Sequence, residues 1–131
     1  MTREDFIKKL DDILCPYNIE DGKIIIPVGS YSDLTSLESL PEGIKFVGEG
    51  VMDLSNLIEI PYGTEFNNSG VIFLYGVKKI HPEVKFNRNQ QICLRGLVTG
   101  TKFPFSFRVD GISDSYILNN MISLGIFNKG I

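Results

Sequence analysis

The chain has 131 residues, which is the size of one domain that can bury a core without a metal ion or a disulfide framework. Its composition, 43% hydrophobic and 22% charged, excludes a disordered chain. No apolar run approaches the ~18 residues that a membrane helix needs, and the charged segment from Met1 to Leu14 lacks the apolar core of a signal peptide. We therefore expect a soluble, cytoplasmic protein with no membrane partner.

The net charge of −3 conceals an uneven distribution along the chain. Residues 1–76 hold 13 acidic and 5 basic side chains, a net −8, whereas residues 77–131 hold 3 acidic and 8 basic ones, a net +5. This uneven charge has two interpretations. The two halves are both simply solvated surfaces, or one of them contacts a charged partner. The acidic overall balance disfavours a nucleic-acid-binding protein. An acidic half that mimics nucleic acid and occupies a basic groove on another protein remains an alternative.

The first predicted elements are a helix and a short hairpin. Thr2 is placed to cap a helix with Asp5 at its third position, and Pro16 ends it. Its apolar residues recur at three- and four-residue spacing and form one stripe: Phe6, Ile7, Leu10, Ile13 and Leu14. Asp21-Gly22 then predicts a tight turn between residues 17–19 and the strand-like run 23–28.

The middle of the chain is a repeat of about 20 residues, which we count from Leu37 in three rows. Five columns stay apolar over three rows: Leu37, Leu57 and Val77; Leu40, Ile60 and Ile80; Phe46, Phe66 and Phe86; Met52, Ile72 and Ile92; and Leu54, Leu74 and Leu94. Glycines and prolines also align, and these are residues that suit corners. The sequence of residues 33–37 is similar to that of residues 53–57, which indicates that the repeat register begins about one row before Leu37.

A coil of this length cannot bury its own apolar face, so equivalent coils must stack to form a continuous core. Met52 and Leu54 are two residues apart, as are their counterparts in the next two rows, which predicts one inward-facing parallel strand in each coil. Ile44 and Phe46 predict a second wall, where Thr64 replaces the apolar residue of the middle coil. The predicted fold is mainly β with helical caps: a short β-solenoid of about three coils.

The motif Leu-x-x-Leu-Pro-x-Gly at residues 37–43, repeated as Leu-x-x-Ile-Pro-x-Gly at residues 57–63, resembles the short leucine-rich-like repeats of bacterial and bacteriophage proteins. The resemblance covers roughly residues 1–97, and the leading helix and hairpin are similar to phage members of that group. It implies architecture more specifically than function, because repeat folds serve many partners. The chain departs from the pattern at His81, which replaces the proline of the third row, and at Gly76 and Gly96, which replace the asparagine represented by Asn56.

The C-terminal segment leaves the repeat register. Residues 103–109 alternate apolar and polar side chains and predict a strand, after which Ser113 is placed to cap a helix that ends near Gly125. We therefore expect one domain over residues 1–131. It comprises a helix, hairpin and cap in 1–36, three repeats in 37–97, and a strand with a capping helix in 98–131.

Catalytic and cofactor chemistry has little support in this sequence. A nucleophilic dyad requires Cys15 or Cys93 beside His81, the one histidine. Cys93 lies between two inward-facing residues, so we expect it to point outward, and a thiol-dependent enzyme using Cys93 is the third functional hypothesis. One histidine and two scattered cysteines predict no metal site, and the absence of glycine-rich phosphate-binding motifs predicts no cofactor.

The first hypothesis is a non-enzymatic protein-binding module that uses the outward face of the predicted sheet. The residues chosen for that site are Asp53, Val71, Phe73, Tyr75 and Arg95, because exposed aromatic side chains beside an arginine are typical anchors of interfaces. The alternative for this face is that a terminal helix covers it. The resemblance suggests a phage-encoded inhibitor of a host defence or regulatory protein, acting in the host cytoplasm. The second hypothesis is a structural or self-assembling subunit, for instance a homodimer formed through an open solenoid edge.

Overall fold

A computed structural model describes residues 1–87 and 90–95 with their side chains and residues 107–109 by their backbone. The predicted C-terminal helix lies outside the described residues, as do residues 103–106 of the predicted strand. The described elements are, in chain order, α1 (Arg3–Asp12), β1 (Asn18–Glu20), β2 (Lys23–Val28), β3 (Tyr31–Asp33), β4 (Ile44–Asp53), β5 (Glu59–Ile60), β6 (Glu65–Phe66), β7 (Ser69–Leu74), β8 (Lys79–Ile80), β9 (Lys85–Phe86), β10 (Gln90–Leu94) and β11 (Phe107–Val109).

The chain forms a β-solenoid of about three turns, so the predicted fold class is confirmed. A first wall contains β2, the first half of β4, β6 and β9; a second wall contains β3, the second half of β4, β7, β10 and β11; and a third wall contains β5 and β8. Neighbouring strands of successive coils are parallel, and their paired residues are one repeat apart, as Met52 pairs with Ile72 and Ile72 with Ile92. This register begins at Ile24, which pairs with Ile44.

The last step of the second wall differs from the others. Ile92 pairs with Phe107, which is a shorter step along the chain than the one from Ile72 to Ile92. The strand expected over residues 103–109 is therefore present at Phe107–Val109, and it adds to the second wall in parallel. As a result β10 has a neighbour on each side.

The apolar columns of the sequence form the interior core. Met52, Leu54, Ile72, Leu74, Ile92 and Leu94 are all fully buried, as inward-facing residues of the second wall should be. Across the core, the rings of Phe46, Phe66 and Phe86 stack nearly parallel with centroids 5.1 and 5.0 Å apart. Thr64 is also buried, and its hydroxyl donates a hydrogen bond of 2.9 Å to the carbonyl of Pro61. That bond allows a polar side chain at an interior position.

The corner between the first and second walls is built by glycine. Gly50 and Gly70 have φ angles of +146° and +112°, which side chains disfavour. A Cβ atom on Gly70 would lie 1.9 Å from the carbonyl oxygen of Gly50, and one on Gly50 would lie 1.7 Å from that of Gly29. The aligned glycines of the repeat therefore let the backbones of successive coils come into direct contact.

The N-terminal elements close one end of the core. The Thr2 hydroxyl accepts a hydrogen bond of 3.1 Å from the Asp5 amide, as the predicted cap requires, and α1 buries Phe6 and Leu10 in the interior. The predicted hairpin is confirmed as the antiparallel pair of β1 and β2. Asp21 and Gly22 connect the two strands with φ angles of +51° and +78°, values that suit a two-residue hairpin turn.

Candidate functional site

The structure brings the residues of the candidate site together on the outer face of the second wall. In the strand ladder Asp53 pairs with Phe73, and Val71 pairs with Val51. The rings of Phe73 and Tyr75 have centroids 5.5 Å apart, and the guanidinium carbon of Arg95 lies 4.6 Å from the centroid of the Tyr75 ring. We name Asp53, Val71, Phe73, Tyr75 and Arg95 the aromatic face.

The side chains of the aromatic face are less accessible than the sequence suggested. Phe73 and Tyr75 were expected to be exposed, but both are half-buried. The two rings pack against each other and Arg95 stacks on Tyr75, and these contacts contribute to the burial. The alternative was that a terminal helix covers this face: α1 instead places Phe6 and Leu10 in the interior core, and the predicted C-terminal helix lies outside the described residues.

Asp53 has a local structural role that the sequence analysis did not assign. Its carboxylate accepts a hydrogen bond of 3.0 Å from the Ser55 amide. One coil earlier, the Asp33 carboxylate accepts bonds from the amide and the hydroxyl of Thr35, at 3.1 and 2.6 Å, and these bonds lower the pKa of Asp33. The similarity of residues 33–37 to residues 53–57 was the sequence signal for this turn. Both carboxylates therefore stabilise the turn that follows a strand of the second wall.

Cys93 was expected to point outward and to be accessible, and its accessibility is the part of this prediction that is wrong. Cys93 pairs with Phe73 in the outward row, but the side chain is fully buried. β11 adds to the far side of β10, so Cys93 lies on an inner strand of the wall and not at its edge. His81 directly follows β8 of the third wall, where its Nδ1 accepts a hydrogen bond from the Glu83 amide and its ring packs edge-on against Tyr62.

Cys15 also lacks the features of an activated thiol. It is half-buried after the end of α1, and its thiol donates a weak bond of 3.6 Å to the carbonyl of Pro16. Burial raises the pKa of Cys15, which disfavours the thiolate.

Within residues 1–87 and 90–95, no group of three or more histidine, cysteine, aspartate or glutamate side chains is arranged to hold a metal ion. The described part of the chain has no helix of the length and apolarity that a membrane crossing requires.

Charges on the first wall alternate along one column. Lys45 pairs with Glu65, and Glu65 pairs with Lys85, so an acid separates the two bases as the repeat register predicted. The Glu65 carboxylate accepts a hydrogen bond from Lys23 and lies 3.9 Å from the ammonium of Lys85. The hydrogen bond from Lys23 lowers the pKa of Glu65. The column is therefore a network of ion pairs and not a basic stripe.

We expect Glu65→Gln to lower the free energy of unfolding by about 0.5–1 kcal/mol at about pH 7, the range of partly exposed ion pairs. Since folding lowers the pKa of Glu65, its contribution is complete above the pKa of an unfolded glutamate and is lost as the pH falls through the lower folded value. Urea unfolding at neutral and at acidic pH should therefore show a smaller difference from wild type at the acidic pH. Glu59→Gln is the control, because the pair of Glu59 with Lys79 is exposed at both ends. A Glu65→Gln deficit that is equal at both pH values would contradict the assignment.

Two clefts were not predicted. One, of about 470 Å³, is mainly apolar and lies between the segment after α1 and the strands β2 and β3. Its lining includes Leu14, whose side chain is 89% exposed, and Tyr31, which is 61% exposed. The other, of about 560 Å³, is lined by charges of both signs, among them Arg3, Glu42 and Lys85. The exposed Leu14 belongs to the predicted helical stripe, so periodicity alone did not reveal the first cleft.

Comparison of the chain with protein-family models, curated proteins and solved structures gives no significant match.

Proposed function

We propose that the protein is a non-enzymatic binding module that contacts a partner protein through the aromatic face. The observation that carries this proposal is the stack of Arg95 on Tyr75, which in turn packs against Phe73. Phenylalanine, tyrosine and arginine are enriched at protein interfaces, and tyrosine and arginine are frequent among the few residues that dominate binding energy.

The backbone beneath this cluster supports the proposal. Phe73 belongs to β7, which is paired on both sides, by β4 and by β10. The partner would therefore meet side chains whose positions are already fixed, so little conformational entropy would be lost on binding.

The charges around the cluster indicate the chemistry of the partner. Arg95 is exposed at one side, and the carboxylate of Asp53 lies at the other, beside Phe73. A complementary surface would carry an apolar side chain against the rings, an acidic group opposite Arg95 and a basic group opposite Asp53. The narrower hypothesis of a phage-encoded inhibitor of a host protein rests on the sequence resemblance and stays a prediction.

The test compares affinity capture from a bacterial lysate by the wild type and by a Phe73→Ala/Tyr75→Ala double variant, followed by measured affinities for each captured protein. We expect the double variant to bind at least about 30-fold more weakly, the loss produced by removing a dominant anchor of about 2 kcal/mol. Arg95→Lys, which keeps the charge but not the planar stack, should weaken binding several-fold.

The matched control is Ile58→Ala/Tyr62→Ala. Both of these side chains are exposed, at 60% and 49%, and neither belongs to the aromatic face. Circular dichroism must show that all variants fold. A partner bound equally by the wild type and by the Phe73→Ala/Tyr75→Ala variant would refute the proposed site. A dimer in sedimentation that the same variant dissociates would favour the self-assembling alternative instead.

A further inference from the structure

The N-terminal end of the solenoid has one strand edge that no described element covers. β3 pairs with β4 on one side and has no other strand neighbour among the described residues. Val51 donates its amide to the carbonyl of Ser30, and Leu34 donates its amide to the carbonyl of Asp53. Because backbone direction alternates along a strand, the N–H and C=O groups of Tyr31 and Asp33 point away from β4. No backbone hydrogen bond to these four groups occurs within the described part of the chain.

The neighbouring edge of the first wall is protected by contrast. β1 pairs with residues 23–25 of β2, which covers the start of that strand. Further along, the outward backbone position falls on Pro27, which has no N–H group to offer. Covering a strand and placing proline in it are the usual ways in which proteins prevent unwanted pairing at an edge. Within the described part of the chain β3 has neither, so its edge retains two donors and two acceptors there.

An apolar cleft adjoins this open edge. The cleft of about 470 Å³ is bounded by β3 on one side and by Ile13, Leu14 and Cys15 on the other. Leu14 adopts a φ of +56° directly after the last turn of α1, where the chain turns away and leaves the side chain 89% exposed. Unpaired strand groups beside a cleft for side chains are the two requirements for binding an extended peptide by strand addition.

The negative charge beside the cleft determines which extended peptides it would favour. Among the described residues that line this cleft Asp33 is the one that carries a charge, and its hydrogen bonds with Thr35 hold the carboxylate in place. The C-terminal end of α1 adjoins the same cleft through Ile13 and adds the partial negative charge of a helix C-terminus. An occupant with lysine or arginine beside an apolar side chain is therefore favoured over an acidic one.

We propose that the cleft between α1 and the open edge of β3 binds an extended segment of a partner protein as an added strand, with an apolar side chain in the cleft and a lysine or arginine paired with Asp33. This site shares no residue with the aromatic face and does not require it. The protein would then have two binding sites: the aromatic face for a folded partner surface, and the edge of β3 for an extended segment.

The probe is a pool of fluorescein-labelled nine-residue peptides in which Val, Leu or Phe alternates with Thr and one Thr position is replaced by Lys. Binding to the full chain is measured by fluorescence polarisation. We expect saturable binding by part of the pool. For the peptides that bind, N-methylation of alternate backbone amides should weaken binding at least tenfold, because it removes the donors that β3 would accept. Replacing their Lys with Glu should weaken binding several-fold.

The protein variants distinguish the edge from other surfaces. Asp33→Asn keeps the hydrogen-bond acceptor for Thr35 but removes the charge, and should weaken binding of the Lys peptides three- to tenfold. Asp53→Asn is the matched control, because Asp53 occupies the equivalent position one coil later, where β4 is paired on both sides. It should leave peptide binding unchanged, as should Phe73→Ala/Tyr75→Ala, so the two proposals can fail independently.

Three results would overturn this proposal. They are no saturable binding by any peptide of the pool to folded protein, equal binding of the N-methylated peptides, and equal effects of Asp33→Asn and Asp53→Asn. Sedimentation supplies a further outcome against it. If the wild type is a dimer that Tyr31→Pro dissociates, the edge is occupied by a second copy of this chain and not by a partner segment.

Discussion

Replacing Gly70 with alanine is expected to lower the free energy of unfolding by about 4 kcal/mol, which would be a large part of the stability of a domain of this size. The φ angle of Gly70 is +112°, so alanine would be strained there whatever the space. In addition, the new Cβ would lie 1.9 Å from the carbonyl oxygen of Gly50. That neighbour is backbone in a paired strand, so it cannot move aside without breaking the ladder between β4 and β7.

Gly29→Ala is the matched control for this substitution. Gly29 is exposed, and a Cβ built on it meets no atom within 4 Å. We expect its effect to stay within about 0.5 kcal/mol. Both variants are measured by urea unfolding followed by circular dichroism. A Gly70→Ala protein as stable as the wild type would show that the corner backbones do not approach each other as closely as described.

The second large effect is expected from Phe66→Ala, at about 3–5 kcal/mol of unfolding free energy. Phe66 is only 1% exposed, and its ring stacks between those of Phe46 and Phe86. Truncation would leave a cavity in the centre of the column. The coils above and below cannot close that cavity, because the strands paired in this wall hold their spacing.

Tyr62→Ala tests whether the loss at Phe66 reflects burial and not aromatic content. Tyr62 lies in the preceding part of the same coil, is 49% exposed and packs edge-on against His81. Its removal should cost less than about 1 kcal/mol. The loss of unfolding free energy for Phe66→Leu should fall between those for Phe66→Ala and Tyr62→Ala, since leucine retains part of the buried apolar volume. Equal losses for Phe66→Ala and Tyr62→Ala would contradict a core organised around the phenylalanine column.

The two proposed binding surfaces meet at Tyr31. Its outward side chain is in register with Val51, which is in register with Val71 of the aromatic face. Its backbone belongs to the open edge that adjoins the apolar cleft. One partner that places a folded surface on the aromatic face and an extended segment along β3 would therefore contact a continuous surface at one end of the second wall.

Much of the fold was predictable because its information is local or periodic. The spacing of Met52 and Leu54, which recurs in every row of the repeat, determined which side chains face the core. The repeat period determined the strand register, since parallel coils of equal length place equivalent residues side by side. The hairpin at Asp21-Gly22 and the cap at Thr2 were predictable for a similar reason, because each depends on a few adjacent residues.

The sequence by itself therefore determined the solenoid, its repeat length and the grouping of Phe73, Tyr75 and Arg95. Tertiary structure decided how accessible those groups are. Cys93 is fully buried although it lies in the outward row, and β11 joins the second wall after a step shorter than the repeat, which no repeat column indicates. The cleft beside Leu14 forms where the end of α1 meets β3, a strand with one partner among the described residues. Periodicity specifies the direction of a side chain along its own strand, whereas exposure depends on which distant segment lies next to that strand.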